Sequence, residues 1–360
     1  MKVGGKAYRS IWTDESPRRV HVIDQTRLPF AFAIQTLSTR GDVAEAIRAM
    51  RVRGAPLIGV AAAYGVALAM QQDGSDHALQ ESIEILLATR PTAINLAWAL
   101  ASMKAALATL PHHRRADVAW SHAGKLADDD VATNEAIGEH GLRLLRASHE
   151  KLQRSVNILT HCNAGWVATV DWGTALACIY KAHDAGIPLH IWVDETRPRN
   201  QGLLTAWELR EHGVPHTYIV DNAGGHLMQH GNVDMVLVGA DRVSRTGDVA
   251  NKIGTYLKAL AAYDNGIPFY AALPLSTVDP TLSNAVTEIR IEERAEIEVR
   301  AVIGLQVENA SDAAPVLILD AKTAVSNPGF DVTPARLVTG IITERGVFAP
   351  DQLAASLVTR

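Results

Sequence analysis

From Val156 onward, short apolar runs alternate with stretches of helical length. The runs read VNILTHC, LHIWVDE, HTYIVDN, VDMVLVGAD, PFYAAL and PVLIL, and the intervening stretches include 174–185, 205–212, 224–229 and 252–264. A strand buried on both faces loses its polar–apolar alternation and becomes a continuous Val/Ile/Leu run. Strand–helix alternation of this kind leaves few arrangements besides a parallel sheet covered on both faces by helices. The expected class is α/β, with the sheet domain over 151–360.

The first 150 residues have a different rhythm. Ser38-Thr39-Arg40-Gly41-Asp42 precedes VAEAIRAMRVRG, where Val43, Ala46, Ile47 and Met50 recur at helical spacing. Gly54 closes that helix, and Pro56 suits the first turn of the next. The Ala-rich stretch 57–70 reads as a buried helix, and 81–89, 93–110 and 131–152 as further helices. Tyr8, Ile11, Trp12 and 20–23 suit a hairpin, while 73–80 and His112-His113 read as polar loops. The boundary is expected at 145–155, so 1–150 forms a mostly helical domain with a small β element. A length of 360 residues agrees with two domains at roughly 150 residues each.

Composition excludes several classes. Two cysteines cannot frame a disulfide-stapled fold; reduced thiols and a cytoplasmic location are expected. The 34 basic and 39 acidic residues give a net charge of -5, without the basic surplus usual for nucleic-acid binding. No run approaches the roughly 20 apolar residues of a bilayer crossing, and MKVGGKAYRSIW lacks a signal peptide's apolar core.

What ends each strand is informative. The first run ends in Thr160-His161-Cys162-Asn163-Ala164-Gly165, the second in 194–202, the third in Asp221-Asn222, and the fourth in Gly239-Ala240-Asp241-Arg242. Ligands of open parallel sheets bind outside the carboxyl ends of the strands, so this edge is the expected active site. Cys162 has two readings: a small buried hydrophobe, or a thiol activated by turn N–H groups or a nearby arginine. Asp241 is either a proton donor with a pKa raised by poor solvation, or a cap helped by Arg242. Asp194 and Asp221 are weaker candidates, and Asp221 also suits a ribose-like diol. Cys178, within ALACIY, reads as core.

No P-loop and no G-x-G-x-x-G follows any of these strands. Arginines beside helix starts offer another route to an anion: 51–56, Arg90 before Pro91, and Asn251-Lys252 opening the helix after Asp241. Each alone also reads as a solvated surface charge; together with the thiol and carboxylates they suit a small phosphorylated substrate. Fourteen histidines include no H-E-x-x-H, and no metal site is expected. His161 and Cys162 are neighbours on a strand and should face opposite ways.

Several longer segments carry a resemblance. They are RGAPLIGVAAAYG (53–65), RPTAINLAWAL (90–100), ILTHCNAG (158–165), ETRPRNQGLLTAWEL (195–209), VGADRV (238–243), NKIGTYLKA (251–259), PFYAALPLSTVD (268–279) and NPGFDVTPARLVTGIITERG (327–346). The sequence resembles the methylthioribose-1-phosphate isomerase family, within a wider group that includes regulatory subunits of the translation-initiation exchange factor. The charged run IRIEERAEIEVR (289–300) also agrees with the family's pattern.

The resemblance implies a mostly helical N-terminal domain, a Rossmann-like C-terminal domain and usually a homodimer. It implies isomerisation of 5-methylthioribose 1-phosphate to 5-methylthioribulose 1-phosphate in methionine salvage, without metal or organic cofactor. The family's catalytic cysteine falls on Cys162 and its aspartate on Asp241. Its phosphate and sugar contacts fall on Arg53, Gly54, Ala55, Arg90, Gln201, Asn251 and Lys252. The segment DNAGGHLM (221–228) departs from the pattern, so His226 either reaches the pocket and alters tail specificity or starts the following helix. Alternatives are an isomerase of another 5-substituted pentose 1-phosphate, such as 5-deoxyribose 1-phosphate, a non-catalytic regulatory subunit, or a nicotinamide-dependent oxidoreductase, which the missing glycine fingerprint disfavours.

Overall fold

The alternating segments build a seven-stranded sheet in the computed structural model, which describes residues 1–14, 16, 18–91, 93–307 and 313–358. The chain enters inside the sheet with Val156–Thr160, then adds Leu189–Asp194 and His216–Ile219 on one side. It returns to the other side of the first strand with Met235–Val238, followed by Phe269–Ala272 and Gly340–Thr343. These pairings are parallel; Gly346–Phe348 closes the edge antiparallel. The class is α/β, and the strand order reverses between Val156–Thr160 and Met235–Val238, both buried at nearly every position.

A second sheet lies beyond the strand Met235–Val238. Its order is Val278–Asp279, Arg242–Ser244, Val249–Lys252, Phe330–Thr333. This corrects the expectation that Asn251-Lys252 opens a helix. Both residues end a strand, register-paired with Asp331 and Phe330, and the helix begins at Thr255. The turn between them needs Gly254, whose φ is 101° and whose missing side chain leaves room for the His161 ring.

The run PVLIL also departs from expectation. Ala313–Leu317 pairs antiparallel with Ala301–Leu305 as a separate hairpin, with Val316 and Leu317 exposed. A parallel neighbour needs a crossover of about a dozen residues or more, and the stretch from 305 to 313 is too short for one. Gly340–Thr343, wholly buried, takes the sheet position instead.

In the N-terminal half the expected hairpin gains a third strand: Ile11–Thr13, Val20–Ile23 and Ile34–Leu37 pair antiparallel in that order. The helix Arg40–Arg48 starts in a capping box, with the Thr39 side chain accepting from Asp42 N–H and the Asp42 carboxylate accepting from Thr39 N–H. The helix Ala55–Gln72 is apolar all round and long enough by composition to cross a membrane, yet 78% of it is buried inside the fold. A helix from Asp76 to Leu87, capped by Ser75, replaces most of the loop expected at 73–80. His112 and His113 open the 41-residue helix His112–Leu152. Arg115 secures that start by donating to the carbonyls of Gly74, Leu107, Ala108 and Leu110 and to Asp76.

This long helix joins both halves. Trp120, Ala123 and Leu126 pack in the core around Ala55–Gln72, whereas Ile137 and Leu145 pack in the core of the large sheet. Gly141 permits close contact with the helix Ala175–Asp184: a Cβ there would lie 2.1 Å from the Cys178 sulfur. Cys178 is buried.

Candidate active site

The reversal of strand order opens a crevice above the carboxyl ends of Val156–Thr160 and Met235–Val238. Cys162 follows the first strand and Asp241 the second, and both line one pocket. Gly239 lets the two loops meet, because a Cβ there would lie 2.7 Å from the Ala164 Cβ.

The backbone holds Cys162 in an unusual state. Its φ is 69°, the left-handed region, which costs an ordinary L-residue about 1–2 kcal/mol. Two threonine hydroxyls secure it: Cys162 N–H donates to Thr196 Oγ1 at 2.8 Å, and Thr205 Oγ1 donates to the Cys162 carbonyl at 2.8 Å. Thr196 is itself fixed by Asp221, whose carboxylate accepts the N–H groups of Thr196 and Arg197, each at 2.8 Å. Asp221 therefore orders the loop here.

Cations surround the thiol and carboxyl. Arg53, Arg90, Lys252 and Arg294 all line the pocket. Arg53 and Lys252 are buried. Arg53 Nε donates to Gln25 Oε1 at 3.0 Å, and its Nη2 donates to the Asn163 side-chain oxygen. The Arg90 Nε is buried and has no hydrogen-bond partner among the described residues. Gly54 and Ala55 border the pocket at the start of Ala55–Gln72, whose first turn has no side-chain cap. Gly54 is required: its φ is 99°, and a Cβ would lie 2.3 Å from the Ala168 carbonyl oxygen. Free N–H groups at a helix start, together with guanidiniums, make an anion site. A chain of net charge -5 thus concentrates positive charge locally.

The electrostatics suit proton transfer. Burial raises the Asp241 pKa from its ordinary range, partly opposed by Arg90, Lys252 and Arg53. Burial also raises the Cys162 pKa; Arg53 and Lys252 oppose this, while ionised Asp241 adds to it. Protonating Asp241 therefore removes one force against the thiolate. Desolvation lowers the pKa of Lys252, so an anion entering the pocket would meet a poorly hydrated cation.

The structure gathers Cys162, Asp241, Arg53, Gly54, Ala55, Arg90, Asn251 and Lys252 around one pocket. It places Gln201 in a neighbouring cavity with Asn200, Leu204 and Phe30; Met50 and Arg53 line both spaces. The Gln201 Oε1 is buried there without a partner among the described residues. Arg294 has no counterpart among the residues singled out from the sequence. It comes from the charged run after Ile289, and its hydrogen bonds to Glu298 and the charge of Glu298 outweigh the desolvation that lowers its pKa, so the net shift is upward. Local spacing carried no signal for it.

His226 does not reach the pocket. It is exposed on the helix Ala223–Gln229, with its ring 4.2 Å from that of His230. His161 faces away from Cys162, with one ring nitrogen 2.9 Å from Asp194 and the other 2.8 Å from the Ile253 carbonyl oxygen. His161, Asp194 and Asp221 have ligand-type atoms close enough to hold a metal ion, but the Lys258 ammonium stands 3.1 Å from Asp194 and supplies positive charge there.

Comparisons with known proteins follow the same outline. The model of the initiation factor 2 subunit family matches residues 51–350. The chain is 62% identical to methylthioribose-1-phosphate isomerase of Acidiphilium cryptum (strain JF-5), over 98% of this chain and 96% of that protein. It is 58% identical to the protein of that name from Rhodospirillum rubrum, over 97% of this chain and 91% of that one. Among solved structures, 5-methylthioribose 1-phosphate isomerase from Pyrococcus horikoshii OT3 superposes with a TM-score of 0.82 at 39% identity, covering 98% of this chain and 96% of that one. The translation initiation factor eIF-2B, subunit delta, from A. fulgidus superposes with a TM-score of 0.78 at 37% identity, covering 96% and 97%.

Proposed function

The chain belongs to the methylthioribose-1-phosphate isomerases of the initiation factor 2 subunit family, and from that premise we propose that it isomerises 5-methylthio-D-ribose 1-phosphate to 5-methylthio-D-ribulose 1-phosphate, a step of methionine salvage. The observation that carries this reading is the pocket at the strand-order reversal, where Cys162 and Asp241 lie among Arg53, Arg90 and Lys252. These residues fit the substrate's needs: cations for the phosphate, a protonated carboxyl, and a thiol.

A 1-phosphate blocks spontaneous ring opening, so the ring must first be opened with help. Asp241, its pKa raised by burial, donates its proton to the ring oxygen as the C1–O bond breaks. The positive charge left at C1 is shared with the phosphoester oxygen. Hydrogen then moves from C2 to C1, and the C2 hydroxyl loses its proton to the Asp241 carboxylate, leaving a C2 ketone and a reloaded acid. Cys162 acts at the hydrogen shift. In one route its thiolate takes the C2 proton and returns it to C1 through an enol; in the other the hydrogen crosses as hydride and the thiol shapes the site. Apolar walls from Met50, Pro274 and Phe330 exclude water and strengthen the electrostatics.

The test is incubation of pure protein with 5-methylthio-, 5-deoxy- and other 5-substituted ribose 1-phosphates in deuterated water, followed by NMR. Ketose formation from the methylthio sugar supports the reading, and preferential turnover of another sugar reassigns the tail. No conversion of any sugar by folded protein would favour a non-catalytic role, as a subunit of the kind the A. fulgidus relative is named for, translation initiation factor eIF-2B, subunit delta. Deuterium at C1 of the product marks the proton route. The same reading makes the protein a cytoplasmic homodimer that needs neither metal nor organic cofactor. Light scattering should give twice the chain mass, and dialysis against a chelator should leave turnover unchanged.

A further inference from the structure

We infer that Glu208, a buried carboxylate with no part in the chemistry above, is a positioning residue that orients Arg53 through the side-chain amide of Asn163. The inference rests on the proposed function in taking Arg53 as a phosphosugar contact.

Glu208 lies on the helix Gly202–His212 and is 1% exposed. Three donors occupy its two oxygens. Asn163 Nδ2 donates to Oε1 at 2.8 Å; Trp166 N–H and Tyr180 O–H each donate to Oε2 at 2.8 Å. Thr205, one turn earlier, accepts a further bond from Asn163 Nδ2 at 3.2 Å. Both amide hydrogens of Asn163 are thereby directed at acceptors. An asparagine amide has nearly the same shape in either orientation, so its donors and acceptors decide which way it faces. Glu208 and Thr205 turn the nitrogen inward, which aims the oxygen at Arg53 Nη2.

The approach is close by construction. A Cβ on Gly165 would lie 2.0 Å from the Glu208 carboxylate, so only glycine lets the loop after Cys162 settle on this carboxylate. The carboxylate also offsets part of the cost of burying a guanidinium. Desolvation lowers the Arg53 pKa, and Glu208 is among the charges that oppose the shift. Tyr180, Glu208, Asn163 and Arg53 thus form a directed relay from the helix-packed interior to the pocket wall.

Glu208→Gln breaks the direction of this relay while keeping its shape. If the glutamine oxygen stays under Trp166 and Tyr180, its NH2 group faces the Asn163 NH2 group. Asn163 must then flip and present N–H groups to the guanidinium. The expected result is a rise of about tenfold or more in KM, and in the inhibition constant of inorganic phosphate, with kcat changed far less. Adding Asn163→Asp to Glu208→Gln restores complementarity without changing the total charge, because the new carboxylate accepts from both the glutamine and Arg53. The double variant should return to within about threefold of the parent.

Unchanged KM and phosphate affinity in Glu208→Gln would overturn the inference. So would a double variant no better than the single one, with both melting like the parent. If the single variant does not fold, a folded double variant with near-parental KM supports the relay, and one that is unfolded or weak in KM overturns it. Calorimetric titration of the parent and both variants with inorganic phosphate reads Arg53 without turnover, so a failure of the proposed activity stays distinguishable from a failure of the relay.

Discussion

His161 and Cys162 leave the same strand in opposite directions, into two kinds of electrostatic surroundings. On the His161 side most charges meet partners: one Asp194 oxygen faces His161 at 2.9 Å and Lys258 at 3.1 Å, its other oxygen is buried without a partner among the described residues, and Asp221 accepts two backbone N–H groups. On the Cys162 side, pairing is left open. Arg90 Nε has no partner, and Asp241 and Lys252 make no side-chain hydrogen bond or ion pair within the described residues. A network that is largely closed secures the backbone. An open one invites a ligand to complete it, because buried polar groups left unpaired are costly.

The largest effects are expected on the open side. Cys162→Ser and Asp241→Asn should each lower kcat by about 10²–10⁴ while leaving the melting temperature near the parent's. Near-normal turnover in both would remove the assignment of the two residues. On the closed side the effect should fall on folding instead. Asp194→Ala strands His161 and Lys258 in the interior and should cost about 3–5 kcal/mol, read from urea denaturation. A stable Asp194→Ala protein with lost turnover would mean the closed cluster belongs to the chemistry.

Arg90→Ala should raise KM about 10–100-fold, since it removes a charged donor from the anion site. It also carries a pH signature with a definite sign. Asp241 works protonated, so turnover falls as pH rises through its raised pKa. Arg90 leads the charges that hold that pKa down. Removing it should move the alkaline limb of the kcat profile to higher pH, and a shift the other way would contradict Asp241 as the proton donor. The smallest effect is expected at His226→Ala, an exposed site, where KM for the methylthio sugar should stay within about twofold. A larger change would reopen the question of tail specificity at 221–228.

Legibility followed the range of the forces involved. Strand ends are local, so the residues after the first and fourth apolar runs could be singled out before any fold was known. The start at Gly54-Ala55-Pro56 was legible for the same reason. Asn251-Lys252 was misplaced because its strand exists only through antiparallel pairing with Arg242–Ser244 and Phe330–Thr333, the latter about 80 residues later. Arg294 was missed because its run has no regular spacing and is held beside the pocket by tertiary contacts. The run PVLIL has a strand's composition, and only its short connection to Ala301–Leu305 sends it into an exposed hairpin.

By itself the sequence determined the class of fold and the chemical inventory: buried parallel strands, a thiol and carboxylates at their ends, and arginines beside helix starts. These follow from local periodicity and from the rule that strand ends carry ligands. Tertiary structure decided which of those ends meet. Cys162 and Asp241 are 79 positions apart in the chain, and two intervening strands separate their segments in sequence. They become neighbours because the chain returns to the opposite side of its first strand and pairs Met235–Val238 directly with Val156–Thr160, so the loops after these two strands meet at one edge of the sheet. Strand order is a property of long-range packing, and no residue pattern within a single segment encodes it.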